Sequence, residues 1–117
     1  MNKYTELSDF EINRLIAEMD TTNRYVYFEK EQTIFRKFNN GQTQKFNPCN
    51  YPADAMPIII ENKICNAFDV FAEEHDGGKW VASPAYGFAN ERTRSNNLYR
   101  AAMELFLLMK DAENEKV

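Results

Sequence analysis

His75 is the only histidine in the 117-residue chain, so any Ser-His-Asp or Cys-His arrangement must use it. It lies in Glu73-Glu74-His75-Asp76-Gly77-Gly78, which reads as an exposed hairpin turn. A general base needs a sheltered and oriented position. A solvated turn histidine is therefore the expectation, ahead of a Cys49/His75 dyad, and no catalytic residue is assigned. A zinc site would have to draw on Cys49, Cys65 and His75, none of which forms a C-x-x-C or H-x-x-x-H pair. Asp69, Glu73, Glu74 and Asp76 are carboxylates that suit Mg²⁺, but the expectation is an acidic, solvated hairpin that protects a strand edge. Gly77-Gly78 is the only glycine pair and precedes a strand instead of a helix, so no phosphate-cradling loop fits. No metal and no cofactor is implied.

Three further groups of residues could bind. Asn47, Asn50, Asp54 and Arg100 form a polar set at element boundaries. They could hold a small ligand at a helix N-terminus, or serve as caps and turns, with Arg100 pairing with Asp54. Tyr86, Phe88, Arg92 and Arg94, after Pro84, populate a long loop, and Tyr, Phe and Arg are favoured anchors of protein interfaces. Arg24, Lys30, Arg36, Lys37 and Lys45 are interleaved with Tyr25, Tyr27, Phe28, Phe35 and Phe38. A sheet with exposed aromatics between cations can stack bases, whereas the same aromatics facing inward are simply core. From Thr21 to Ala53 five basic residues face two acidic ones, a local net charge of +3.

The elements that must position these groups are legible in part. Ser8 and Glu11 form a capping box, Leu7 and Ile12 a hydrophobic staple, and Ile12, Leu15, Ile16 and Met19 a helical stripe ending near Asp20. Arg24 to Phe28 and Thr33 to Phe38 read as a hairpin, and Gln42 to Phe46 as a short third strand after Asn39-Asn40-Gly41. For Met56 to Ile60 two readings compete: the three isoleucines favour a strand, while Asn50 and Pro52 punctuate a helix start. A helix over Ala53 to Asn62 is preferred. Phe68 to Phe71 and Lys79 to Ala82 read as a second hairpin with Trp80 on one face, followed by a loop from Ser83 to Asn97. Asn97 to Ala112 reads as a buried helix, with Leu98, Ala101, Ala102, Leu105, Phe106 and Met109 on one face. The order α-β-β-α-β-β-α implies an α+β fold, a mainly antiparallel sheet packed by helices, in one compact domain over residues 1–117.

Composition supports a packed core. Hydrophobic residues make up 44% and aromatic residues 14% of the chain, and a chain of this size buries about two thirds of its surface. The formal charge of −4 argues against nucleic acid or an anionic membrane as the main partner. No apolar run approaches the roughly 18 residues of a membrane span, and no signal-peptide pattern opens the chain. Two cysteines are too few for a disulfide scaffold, so free, buried thiols in a reducing cytosol are expected.

Several blocks in order resemble one family. They are Leu7-Ser8-Asp9-Phe10-Glu11-Ile12-Asn13, Phe46-Asn47-Pro48-Cys49-Asn50, Pro52 to Ile59, Glu61-Asn62-Lys63-Ile64, Trp80 to Ala82, and Arg100-Ala101-Ala102-Met103 with Phe106-Leu107. Together they resemble the NinX-like family of small phage and prophage proteins. The resemblance implies an α-β-α sandwich and an accessory role in temperate phages. Met56 stands where the family commonly has Trp, and Asn47 where it commonly has Asp, so neither an indole nor an acidic site is carried over. The expectation is a phage or prophage accessory protein in the bacterial host cytosol that binds a host or defence protein without catalysis. The rival readings are a small-molecule or nucleotide binder, with hydrolysis as an option, that uses the Asn47/Asn50/Asp54/Arg100 set, and a single-stranded nucleic-acid binder that uses the first hairpin.

Overall fold

A computed structural model describes residues 2–85 and 91–115. Helix α1, Asp9–Met19, starts at Ser8, whose hydroxyl accepts from the Glu11 amide while the Glu11 carboxylate accepts from the Ser8 amide. Two orphan amides of the first turn are thereby satisfied. Strands β1 (Arg24–Phe28), β2 (Thr33–Lys37) and β3 (Thr43–Lys45) form one antiparallel sheet in the order β1-β2-β3. Tyr25 stands opposite Arg36, and Phe35 opposite both Val26 and Lys45. Strands β4 (Ile64–Phe68), β5 (Trp80–Pro84) and β6 (Thr93–Ser95) form a second antiparallel sheet, with Phe68 opposite Trp80 and Ala82 opposite Thr93.

The expected α+β class is found, with its antiparallel strands divided between two sheets, the short third strand present as β3, and β6 added. The preferred helix forms as α2, Pro52–Glu61. Pro52 occupies its first turn, where a missing amide hydrogen costs nothing, and the helix runs on through Pro57. Asn62 closes it by donating its side-chain amide to the Ile58 carbonyl, and Lys63 follows at φ 55°, the left-handed position that ends many helices.

Two boundaries differ from expectation. The strand expected over Phe68 to Phe71 lies at β4 and ends at Phe68, because Asp69 starts a turn: its carboxylate accepts the Phe71 amide and its carbonyl the Ala72 amide. The expected loop from Ser83 to Asn97 is shortened at both ends, by β5 and by β6. Gly78 lets β6 approach closely, since a Cβ there would lie 2.2 Å from the Ser95 carbonyl carbon.

Helix α3, Leu98–Glu115, is the centre of the molecule. Every residue from Ala101 to Leu107 is buried, Glu104 included. One side of α3 meets β4, β5 and β6, and other sides meet α1 and α2. A helix apolar around most of its circumference must be buried on several sides, and that pattern was present in the sequence. The first sheet packs on α1 through Ile34, which is 1% exposed.

Candidate functional site

The polar set at the element boundaries separates into two places. The turn Asn47-Pro48-Cys49-Asn50 leads into α2, with the Asn50 and Tyr51 amides donating to the Asn47 carbonyl. The Asn47 side-chain oxygen accepts from Asn13 at 2.8 Å and from Asn50 at 3.0 Å. Asn13, in the middle of α1, accepts in turn from the Cys49 amide at 3.0 Å. Asn97 donates to the Cys49 carbonyl at 2.9 Å and to the Asn50 side chain at 3.0 Å, while its own oxygen caps the first amides of α3. Asn50 also donates to Asp9 at 3.1 Å.

Arg100 completes this network. It meets Asp9 through Nη1 at 2.8 Å and Glu104 through Nε at 2.7 Å. Its Nη2 donates to the carbonyls of Tyr4 at 2.9 Å and Leu7 at 2.8 Å. The expected pairing with Asp54 does not form, because the guanidinium is directed to the N-terminal segment and α1. Burial alone would lower the Arg100 pKa, but hydrogen bonds to Glu104 and Asp9 outweigh it and raise the pKa. The donors and acceptors of Asn13, Asn47, Asn97 and Arg100 are thus largely engaged within the protein.

Asp54 lies at the other place. One carboxylate oxygen accepts the Asn47 amide at 2.9 Å, and the residue lines an open cleft of about 550 Å³ between α1, α2, α3 and the inner face of the first sheet. Tyr25, Arg36 and Phe46 form its sheet-side wall, with Asp20 and Lys110 at its margins. The Arg36 guanidinium lies over the rings of Phe46 and Tyr25, 5.4 and 5.8 Å from their centroids, and its Nε is buried without a hydrogen-bond partner. The Tyr25 hydroxyl donates to Asp20 at 2.6 Å. Burial would raise the Asp20 pKa, but hydrogen bonds from Tyr25, Asn23 and the Thr22 and Asn23 amides outweigh it and hold it at about 2. Burial and the bond to Asp20 push Tyr25 up to about 12.

The expected interface residues fall partly outside the described residues: Tyr86 and Phe88 lie there. Arg92 is exposed and donates to the Glu91 carbonyl at 2.8 Å. Arg94 holds Asp69 at 2.9 Å and the Gly78 carbonyl at 3.2 Å. Arg94, Asn97 and Arg100 share a shallow cleft of about 280 Å³ that does not include Asp54.

The Asp69 turn, anchored by Arg94, carries the most exposed apolar group among the described residues. Phe71 is 89%, Val70 65% and Phe68 49% exposed, and Phe68 packs edge-on against Trp80 with centroids 5.0 Å apart. The apolar composition of Phe68-Asp69-Val70-Phe71 is that of a strand, which hides this turn in the sequence. The usable signal was Asp69, a residue that favours turns by accepting the amide two positions on.

His75 stands with its side chain 76% exposed, its ring nitrogens 3.5 Å from Glu73 and Asp76. Cys49 is buried, and burial first, then the nearby Asp9 charge, pushes its thiol upward, away from a reactive thiolate. Both cysteines are free, but Cys65 is exposed, contrary to the expected burial of both thiols, because alternation along β4 puts it on the face opposite the buried Ile64. Among the described residues no group of three or more His, Cys, Asp or Glu residues is placed to hold a metal ion, and no helix is long and apolar enough to cross a membrane.

Comparison with known proteins adds the decisive observation. The sequence model of the family described as Bacteriophage P22, NinX matches residues 3–110. The chain belongs to the NinX family. The match covers both polar regions and both sheets. No curated protein and no solved structure matches it.

Proposed function

We propose that this NinX-family protein is an accessory factor that binds a host protein without catalysis, with the Phe68–Phe71 turn, Arg92 and the adjoining strand β6, which carries Arg94, as its contact surface. The carrying observation is the exposure of Phe71 and Val70 beside the Phe68–Trp80 pair. Scattered exposed apolar residues are ordinary, but a cluster of aromatic groups with arginine alongside has the composition of an interface core. The Asp69–Arg94 pair holds the turn in place, which reduces the ordering cost of association. Burial of the Cys49 thiol and exposure of His75 support a non-catalytic role. The proposed ligand set of Asn47, Asn50 and Arg100 gains less support, because these groups already bond one another and α1, whereas Asp54 still faces an open cleft.

The test is affinity capture from a bacterial host lysate with the wild type and with a Val70→Ser/Phe71→Ser variant. Both side chains are exposed, so the variant should fold with an unchanged circular dichroism spectrum. The expected result is a discrete protein recovered by the wild type and lost with the variant. Recovery of nothing above background, or equal recovery by both, would refute the proposal.

A further inference from the structure

Side-chain alternation divides the first sheet into two faces. Tyr25, Tyr27, Ile34 and Arg36 turn toward the helices: Ile34 is buried, Arg14 of α1 lies over the Tyr27 ring, and Tyr25 reaches Asp20 at the end of α1. The opposite face carries Arg24, Val26 and Phe28 from β1, Phe35 and Lys37 from β2, and Lys45 from β3. Among the described residues α1 is the helix packed on this sheet, and it covers the inner face.

Two properties of the outer face point to one ligand chemistry. The first is uncompensated positive charge. Arg14, Arg94 and Arg100 each have a carboxylate partner, whereas Arg24, Lys37 and Lys45 have none among the described residues. The strands contribute no acid to this face; of the two acids in the turn between β1 and β2, Glu29 is held by Arg14 on the α1 side and Glu31 is exposed next to Lys30 in the chain. The overall charge of −4 is therefore a poor guide to this surface, since charges beyond about 8–10 Å are screened at ordinary ionic strength.

The second property is the aromatic pair. Phe28 is 44% exposed and meets Phe35 edge-on, with centroids 5.7 Å apart and an interplanar angle of 85°. In such a pair the ring that presents its edge keeps both flat faces free of its partner, and the other ring keeps one. The register places Phe35 between Val26 and Lys45, and Lys37 next to Arg24, so rings occupy one end of the face and cations the other end and one margin.

We propose that this face binds single-stranded nucleic acid, with phosphates at Arg24, Lys37 and Lys45 and unstacked bases against Phe28 and Phe35. From Arg24 to Phe28 the face is about 13 Å long, and three strands are about 10 Å wide, similar to sheets that stack two or three bases. A duplex keeps the flat faces of its bases inside its own stack, so it could engage the cations but not the rings. An acidic peptide would also leave the rings unused. The surface is separate from the Phe68–Phe71 turn, so its failure and the failure of the protein-binding proposal are distinguishable.

Fluorescence anisotropy with a labelled oligodeoxythymidine of about 12 nucleotides tests the proposal, with a duplex of equal phosphate number and polyglutamate as competitors. Three phosphate contacts on a single strand predict that affinity falls about 20-fold between 50 and 200 mM salt. Phe28→Ala should weaken binding about tenfold or more, and Lys45→Glu more than that, because it removes an attraction and adds a repulsion. Lys79→Glu, an equal charge change at an exposed residue beside the second sheet, should leave binding nearly unchanged. All three altered side chains are exposed, and circular dichroism checks that the variants fold. Absence of binding at low salt would overturn the proposal. So would binding that Lys79→Glu weakens as much as Lys45→Glu, or that duplex and polyglutamate compete away as well as the single strand with Phe28→Ala silent. That last pattern would assign the face to an acidic protein.

Discussion

The two polar regions of this protein look alike as residue lists and differ as physical objects. Around Arg100, side chains from α1, the 47–50 turn and α3 bond one another, and the bonds of Asn13, the Cys49 backbone and Arg100 are buried or part-buried while those of the Asn50 side chain are exposed. Around Asp54, the polar groups of Asp20, Tyr25 and Arg36 line an open cleft of about 550 Å³. The first region joins segments up to 96 residues apart in sequence, which a ligand site has no need to do. The difference teaches that asparagines and an arginine at element boundaries become a structural clasp when their hydrogen-bonding capacity is used internally, and remain available for binding only when it is not.

The comparison can be broken most forcefully at Arg100. Arg100→Met leaves Glu104, 2% exposed, without its cation, leaves the Leu7 carbonyl unpaired, and leaves the Tyr4 carbonyl only the Leu7 amide. Urea denaturation should show a loss of about 3–5 kcal/mol. A change under ~1 kcal/mol would mean that the clasp is not structural.

Asn13→Ala is the next probe. It removes the acceptor of the buried Cys49 amide and the donor to Asn47 at once, and should cost about 1–3 kcal/mol. A double variant with Arg100→Met would be non-additive if the network acts as a unit.

On the cleft side, Tyr25→Phe should cost only about 1 kcal/mol, because Asp20 is part-exposed and solvent screens its partner. Its pH signature is more informative than its size. The Asp20 pKa is depressed to about 2 from 3.8, so its contribution is full above the ordinary value and is lost as pH falls toward 2. The Tyr25 pKa is raised to about 12 from 10.0, so its contribution is full below pH 10 and is lost as pH rises toward 12. Tyr25→Phe should reduce the alkaline loss, leaving the part due to Tyr4 and Tyr27, whose pKa values burial also raises, and should shrink the acid one, as read from thermal melts across pH.

Asp54→Asn should have the smallest effect, within about 0.5 kcal/mol, since an amide oxygen still accepts the Asn47 amide. A loss matching that of Asn13→Ala would show that the two regions are one and would remove the distinction between clasp and cleft.

How much of this was readable in the chain follows from the range of each interaction. Ser8 and Glu11 announced the start of α1 because both partners lie within one turn. Leu98 to Met109 announced the central helix because its period is local. Asn47, Asn50, Asp54 and Arg100 were noticed for their types, but their partners Asp9, Asn13, Asn97 and Glu104 mostly lie far away in sequence. The spacing of Asp9 and Asn13, one turn apart on the same helix face, was the available signal, and it reads equally well as ordinary surface polarity. The exposed Phe71 was hidden because a turn and a short apolar strand can share a composition.

Local backbone preference and periodicity were determined by the sequence itself: a capped first helix, a basic aromatic hairpin, an apolar central helix and membership of a phage family. Alternation further required the hairpin to present two different faces. Which face would be covered, which carboxylates Arg100 would take, and whether the strands would form one sheet or two depended on contacts between residues tens of positions apart. Such contacts are chosen by packing, where burying Ile34 and the whole circumference of α3 outweighs any local preference. The tertiary structure thereby decided that Phe28, Phe35 and three cations without a carboxylate partner among the described residues face outward while the asparagines close on one another.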